Sequence, residues 1–132
     1  MAQLRLAMAQ VNPVVGDLVG NARMIRDRVG EAALAGAHLV AFPEMVLTGY
    51  PVEDLALRAS FVEASRRALT QLAQDLVADG HGDLPVVVGY LDRADGASPD
   101  GRGGDGTRTL PQNCAAVLSE GRVVGRYAKH HL

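Results

Sequence analysis

Two helical stretches with one-sided apolar stripes, set between short apolar runs that end at proline or glycine, predict an α/β fold. The order of these elements is β-α-β-α-β, followed by two more strand-like runs joined by a two-residue turn. The 132 residues are 48% hydrophobic and 21% charged, which suits one domain with a packed core.

Residues 4–11 form an apolar run closed by Asn12-Pro13 and read as a mostly buried strand. Asp17 is placed to cap a following helix, because its carboxylate can accept from the unpaired amides of the first turn. Behind it Leu18, Ala22, Ile25, Val29 and Ala32 recur at steps of three and four. Gly36 supplies the stop. Residues 38–44 read as a second buried strand running into a turn, and residues 45–51 as a loop. Glu53-Asp54 marks a short helical turn. Ser60-Phe61-Val62-Glu63 fits a capping box, with Phe61, Ala64, Ala68, Leu72 and Leu76 as the core face of the helix it opens.

Residues 85–90 are a third strand. Residues 92–109 are rich in Gly, Asp and Ser, cannot bury apolar surface, and read as a flexible Gly-rich loop. Residues 112–119 and 122–129 are two strands joined by Glu120-Gly121, an antiparallel hairpin. Five strands and two helices leave part of a sheet face uncovered. Either another chain covers that face or residues 1–132 are the front part of a larger domain, and the second is expected.

Composition excludes several classes of function. Acids number 15 against 13 Lys and Arg, a formal charge of −2, so there is no basic footprint for nucleic acid. No apolar run approaches the roughly 18 residues of a membrane span, and the N-terminus lacks the build of a secretory signal. One cysteine, Cys114, forbids an intrachain disulfide and a cysteine-cluster metal site. These features predict a cytoplasmic protein with neither a nucleic-acid nor a membrane partner.

Two charged residues stand out for chemistry. Glu44 follows a buried strand at its carboxyl end, where α/β sheets place ligands and a carboxylate can act as a general base. Lys129 is the sole lysine among 13 basic residues and lies at the end of the last strand, where an ammonium can steady a developing oxyanion. A solvated turn acid and an exposed strand-end lysine are the bland alternatives. Cys114, between apolar neighbours, reads as a small buried hydrophobe rather than a nucleophile. Asn113 can either bond a neighbouring loop or simply pair in the sheet. His130 and His131 would face opposite sides of a strand, poor geometry for a metal. The glycines after the first strand and in the loop fit no phosphate-binding spacing.

Taken together, Ala9-Gln10-Val11-Asn12-Pro13 with Gly16-Asp17 and Asn21, then Phe42-Pro43-Glu44, Leu47-Thr48-Gly49-Tyr50-Pro51 and Tyr127-Ala128-Lys129-His130-His131-Leu132, resemble the nitrilase (carbon–nitrogen hydrolase) superfamily. Pro51 followed by Glu53-Asp54-Leu55 is similar to the N-terminal glutaminase domains of glutamine-dependent NAD+ synthetases. The resemblance covers essentially the whole chain. It implies an α-β-β-α sandwich, of which this chain would be the first half, and a Glu-Lys-Cys thiol mechanism that releases ammonia from glutamine to amidate deamido-NAD+. Within it Glu44 would be the general base, Lys129 the charge that steadies the tetrahedral intermediate, and Tyr50 a wall of the glutamine pocket. No cofactor is implied for the glutaminase part; ATP and Mg2+ would serve a synthetase domain. A homo-oligomer is implied for the full-length protein. The family's cysteine follows the lysine, whereas Cys114 precedes it, so the chain is expected to lack the nucleophile and to be inactive by itself. Another small-amide amidase and a non-catalytic α/β interaction module are the competing readings.

Overall fold

The computed structural model describes residues 3–94 and 111–129. Its elements are β1 (Leu6–Met8), α1 (Leu18–Leu34), β2 (Leu39–Ala41), a 3-10 turn (Glu53–Leu57), α2 (Ala59–Ala78), β3 (Val86–Arg93), β4 (Pro111–Ser119) and β5 (Arg122–Ala128). The strands form one sheet in sequence order. β1, β2 and β3 run parallel, linked by α1 and α2, and β4 and β5 add antiparallel. The α/β class read from the sequence is the class observed.

Local chemistry sets the helix ends. The Gly20 amide donates to the Asp17 side chain at 2.9 Å, the cap expected at α1. Both helices finish with a left-handed glycine, Gly36 at φ 81° and Gly80 at φ 91°. Around these the amides of Ala37 and His81 donate back to Ala32 and Leu76, which satisfies carbonyls that the last turn would leave unpaired. The β4–β5 turn has Glu120 at φ 55° and Gly121 at φ 77°, the two-residue geometry that matches strand twist.

The larger of two buried clusters joins the layers, the smaller being Met45, Val52, Val62 and Leu91. Ile25, Val29 and Ala32 of α1 and Leu69, Leu72, Ala73 and Leu76 of α2 pack with Val86, Val88, Tyr90, Cys114, Ala116 and Leu118. The strand residues alternate along β3 and β4, so both helices cover the same sheet face. Each fully buried aliphatic side chain there contributes about 1.5–3 kcal/mol.

Four local expectations are corrected. β1 is a three-residue edge strand with Leu6 and Met8 exposed, not a mostly buried one, because it has a neighbour on one side only and the helices cover only one face. α2 starts at Ala59 after Arg58, with no side-chain cap; the Glu63 carboxylate instead pairs with Arg93 and Arg66, and those full charges outcompete a backbone amide. The buried stripe of α2 is Val62, Ser65, Leu69, Leu72, Ala73 and Leu76, so Phe61, Ala64 and Ala68 are off centre. Ser65 holds a core position because its hydroxyl accepts from the Leu91 amide at 3.1 Å. Asp92 and Arg93, assigned to the Gly-rich loop, are the last residues of β3. Of the rest of the loop expected over residues 92–109, residues 95–109 lie outside the described residues, as do His130 and His131. Among the described residues no helix is long and apolar enough to cross a membrane.

Candidate active site

The site is built where the parallel and antiparallel parts of the sheet meet. Beyond β2 the chain stays on β3: the Phe42 amide donates to Val87 at 2.9 Å and the Leu47 amide to Gly89 at 3.1 Å. Between them Met45 adopts a left-handed backbone, φ 54°. That conformation costs a non-glycine residue about 1–2 kcal/mol, offset here by burial of Met45 itself. Residues 45–49 are buried, unlike an ordinary surface loop.

Asn21 explains how that loop can be buried. Its Oδ1 accepts from the Val14 amide at 2.8 Å, and its Nδ2 donates to Val14 at 2.8 Å and to Leu47 at 3.0 Å. A single buried amide thus satisfies both the β1–α1 loop and the turn after Glu44. Gly49, at φ 78°, lies so close to the Val15 backbone that a Cβ would sit 2.6 Å from its Cα. The turn that presents Glu44 is clamped from two sides.

Lys129 arrives from the far end of the chain. Its amide donates to the Asn113 carbonyl at 2.8 Å, continuing the β4–β5 ladder by one residue. The ladder pairs Ser119 with Arg122 and Leu118 with Val123, then shifts by one so that Val117 meets Gly125 and Cys114 meets Ala128. This bulge sets Lys129, rather than Ala128, opposite Asn113. Directly opposite residues share a face, so the irregularity turns the ammonium toward Glu44.

There the Lys129 Nζ lies 3.0 Å from Glu44 Oε1, and the Asn113 amide donates to the same oxygen. The Glu44 carboxyl is held below the usual carboxylate range, first by the Lys129 hydrogen bond, then by that of Asn113 and the Lys129 charge, against a desolvation cost. Both members of the ion pair are about half exposed, so it stabilises the fold little. Fold stability does not account for the convergence. The pair opens onto a cleft of about 400 Å³ lined also by Phe42, Gly89, Ala115 and Tyr127, a volume that suits a small organic ligand. Cys114 borders this cleft from β4, with its side chain packed in the core and only 2% of the residue exposed. Tyr50 is 71% exposed and lies outside the lining residues. Among the described residues no cluster of three or more His, Cys, Asp or Glu side chains could hold a metal.

The structure therefore brings Glu44 and Lys129 together and adds Asn113, Gly89 and Tyr127 around them. The sequence allows Asn113 either a loop bond or a sheet pairing; hairpin counting from Glu120-Gly121 brings it near Lys129, but the bulge that fixes its partner carries no composition signal.

A carboxylate beside an ammonium at strand ends, over an open cleft, has the groups for acid–base chemistry on a small molecule. The carbon–nitrogen hydrolase family matches residues 5–132, and this chain belongs to that family. It is 35% identical over 129 residues to the glutamine-dependent NAD(+) synthetase of Thermotoga maritima, covering 98% of this chain and 19% of that protein. Against the glutamine-dependent NAD(+) synthetase of Rhodobacter capsulatus it is 37% identical over 130 residues, covering 98% and 20%. The crystal structure of a glutamine-dependent NAD(+) synthetase from Cytophaga hutchinsonii superposes with a TM-score of 0.79 at 27% identity, over 99% of this chain and 20% of that one. The chain thus spans about a fifth of the length of the relatives it matches.

Proposed function

We propose that this chain is the front part of the glutamine amidohydrolase domain of a glutamine-dependent NAD+ synthetase, and that Glu44 and Lys129 are two members of its Glu-Lys-Cys triad. The observation that carries this reading is the 3.0 Å approach of Lys129 to Glu44 over a cleft, in a chain of which 98% aligns with about a fifth of such synthetases. In the reaction, the Glu44 carboxylate takes the proton of a thiol as sulfur bonds to the side-chain amide carbon of glutamine. The Lys129 ammonium offsets charge on the tetrahedral oxygen. As the C–N bond breaks, Glu44 returns the proton to the departing ammonia. Water, deprotonated by the same carboxylate, then releases glutamate from the thioester and regenerates the thiol.

The resemblance assigns the thiol to a cysteine that follows the lysine, whereas Cys114 precedes Lys129 and is packed in the core. The resemblance assigns Tyr50 to the glutamine pocket, and it stands at the end of the turn that carries Glu44, exposed and outside the cleft lining of this chain. The glutamine half reaction needs no cofactor. ATP, Mg2+ and deamido-NAD+ belong to synthetase segments beyond this chain, in a cytoplasmic homo-oligomer.

The test is ammonia release from glutamine by the 132-residue chain and by the polypeptide encoded when the reading frame is followed past Leu132. We expect the short chain to be inactive and the longer one, carrying a cysteine after Lys129, to be active. A stop codon after Leu132, a longer polypeptide that hydrolyses other small amides but not glutamine, or Glu44-dependent turnover by the short chain would each overturn the reading.

A further inference from the structure

The seat beneath Glu44 is made by two residues with no place in the triad. Gly89 lies at the middle of β3, opposite Ala115 of β4. A Cβ on Gly89 would stand 2.7 Å from the Pro43 carbonyl oxygen and 2.9 Å from the Glu44 carbonyl carbon. Those are backbone atoms, which cannot rotate aside as a flexible side chain would. Only a glycine lets the strand and the Glu44 segment approach so closely, and the Leu47 amide then closes the contact onto the Gly89 carbonyl.

Asn113 acts from the neighbouring strand. A carboxylate only accepts, so the Asn113 amide nitrogen must face it, and it donates to the oxygen that Lys129 also contacts. Because Asn113 and Lys129 are joined backbone to backbone at 2.8 Å, two donors reach Glu44 Oε1 from one rigid ladder position. Lys129 alone, on a flexible stem and about half exposed, would leave the carboxylate free to swing into solvent. The Asn113 side chain is shorter and starts from the middle of the sheet, so it fixes the orientation of the carboxylate as well as its distance.

We propose that Asn113 is a positioning residue for Glu44, acting on a seat that only Gly89 permits. Asn113 does not touch the reacting atoms; it restricts the carboxylate to the orientation in which Lys129 is its partner. The proposal rests on the glutaminase reading for its catalytic consequence, but its structural part stands by itself.

The experiment follows the Glu44 side-chain carboxyl by carbon-13 NMR through a pH titration of the 132-residue chain, in the wild type and in Asn113→Ala, Asn113→Asp and Gly89→Ala. Loss of the donated hydrogen bond in Asn113→Ala should move the Glu44 midpoint up by about one pH unit. Asn113→Asp keeps the size of the side chain but sets a second carboxylate against the first, and should split the two titrations with one displaced further upward. Gly89→Ala should return Glu44 toward the usual range and shift the amide signals of residues 43–47. In the longer, thiol-bearing polypeptide, Asn113→Ala should lower kcat about tenfold to a hundredfold while leaving KM for glutamine in place. A Glu44 midpoint unmoved in both Asn113 variants overturns the proposal whatever the turnover. A shifted midpoint in a longer polypeptide that never releases ammonia from glutamine overturns the glutaminase reading and leaves the positioning role intact.

Discussion

Replacing Glu44 with glutamine in the thiol-bearing polypeptide should lower kcat/KM for glutamine by about a hundredfold to ten-thousandfold, the usual contribution of a positioned general base. Glutamine at that position keeps the shape and can still accept from Asn113 and Lys129 through its carbonyl oxygen, but it cannot take a proton. The loss should fall on turnover and not on folding, because the Glu44 side chain is about half exposed and its ion pair stabilises the fold little. Steady-state ammonia release, paired with an unfolding curve, separates the two. The wild-type pH profile follows from the same pair. With its carboxyl held below the usual range by Lys129 and Asn113, Glu44 stays ionised at neutral pH. Activity should persist through the ordinary carboxylate range and fall only as pH drops through the depressed value. A Glu44→Gln variant with wild-type turnover would remove the base from the mechanism.

Replacing Asp92 with alanine should be the costliest single change to the fold among the charged residues described. Asp92 is 4% exposed and holds three elements together. Its carboxylate accepts from the Tyr90 hydroxyl, from Arg66 Nε of α2 at 2.8 Å and from Arg126 Nε of β5 at 2.9 Å. Removing it leaves a buried tyrosine hydroxyl without its acceptor and takes a buried partner from two guanidinium groups, of which Arg66 keeps Glu63 and Arg126 keeps the Arg93 carbonyl and Gln112. Loss of one partner from a buried ionic cluster costs about 3–5 kcal/mol; both arginines are partly exposed and regain water, which places the expected loss near 3 kcal/mol. Burial and the Asp92 carboxylate push the Tyr90 hydroxyl well above its usual range, so it remains a donor throughout the working pH range. Tyr90→Phe removes one hydrogen bond and should cost only about 1 kcal/mol. Urea unfolding of the two variants side by side measures the difference, and equal losses would show that the pairs of Asp92 with Arg66 and Arg126 add nothing beyond the tyrosine hydrogen bond.

The sequence revealed the parts of this molecule whose cause is local. Asp17, Gly36 and Glu120-Gly121 act on their own neighbours, and each sits where composition and spacing put it. The α1 stripe was legible at Ile25, Val29 and Ala32, while the polar Asn21 shares the buried face and falls outside any apolar spacing. The phase of α2 was not, since alanines fall on both sides of it and the polar Ser65 occupies a core position. Asp92 was hidden among glycines and acids, its arginine partners lying one helix upstream and two strands downstream. Glu44 and Lys129 were singled out by strand-end position and by the scarcity of lysine, while their meeting depends on a one-residue bulge that no pattern announces. Gly89 sits within an apolar run, and only the backbone crossing above it explains why a side chain is missing there.

The measurement that bears most directly on the whole account is the titration of the Glu44 carboxyl in the wild-type chain and in Lys129→Met. If the two groups share the cleft as an ionised pair, the wild-type midpoint lies below the ordinary glutamate range and climbs when the ammonium is removed. An ordinary midpoint that Lys129→Met leaves unchanged would mean that the acid and the ammonium do not meet, and the proposed chemistry would have no site.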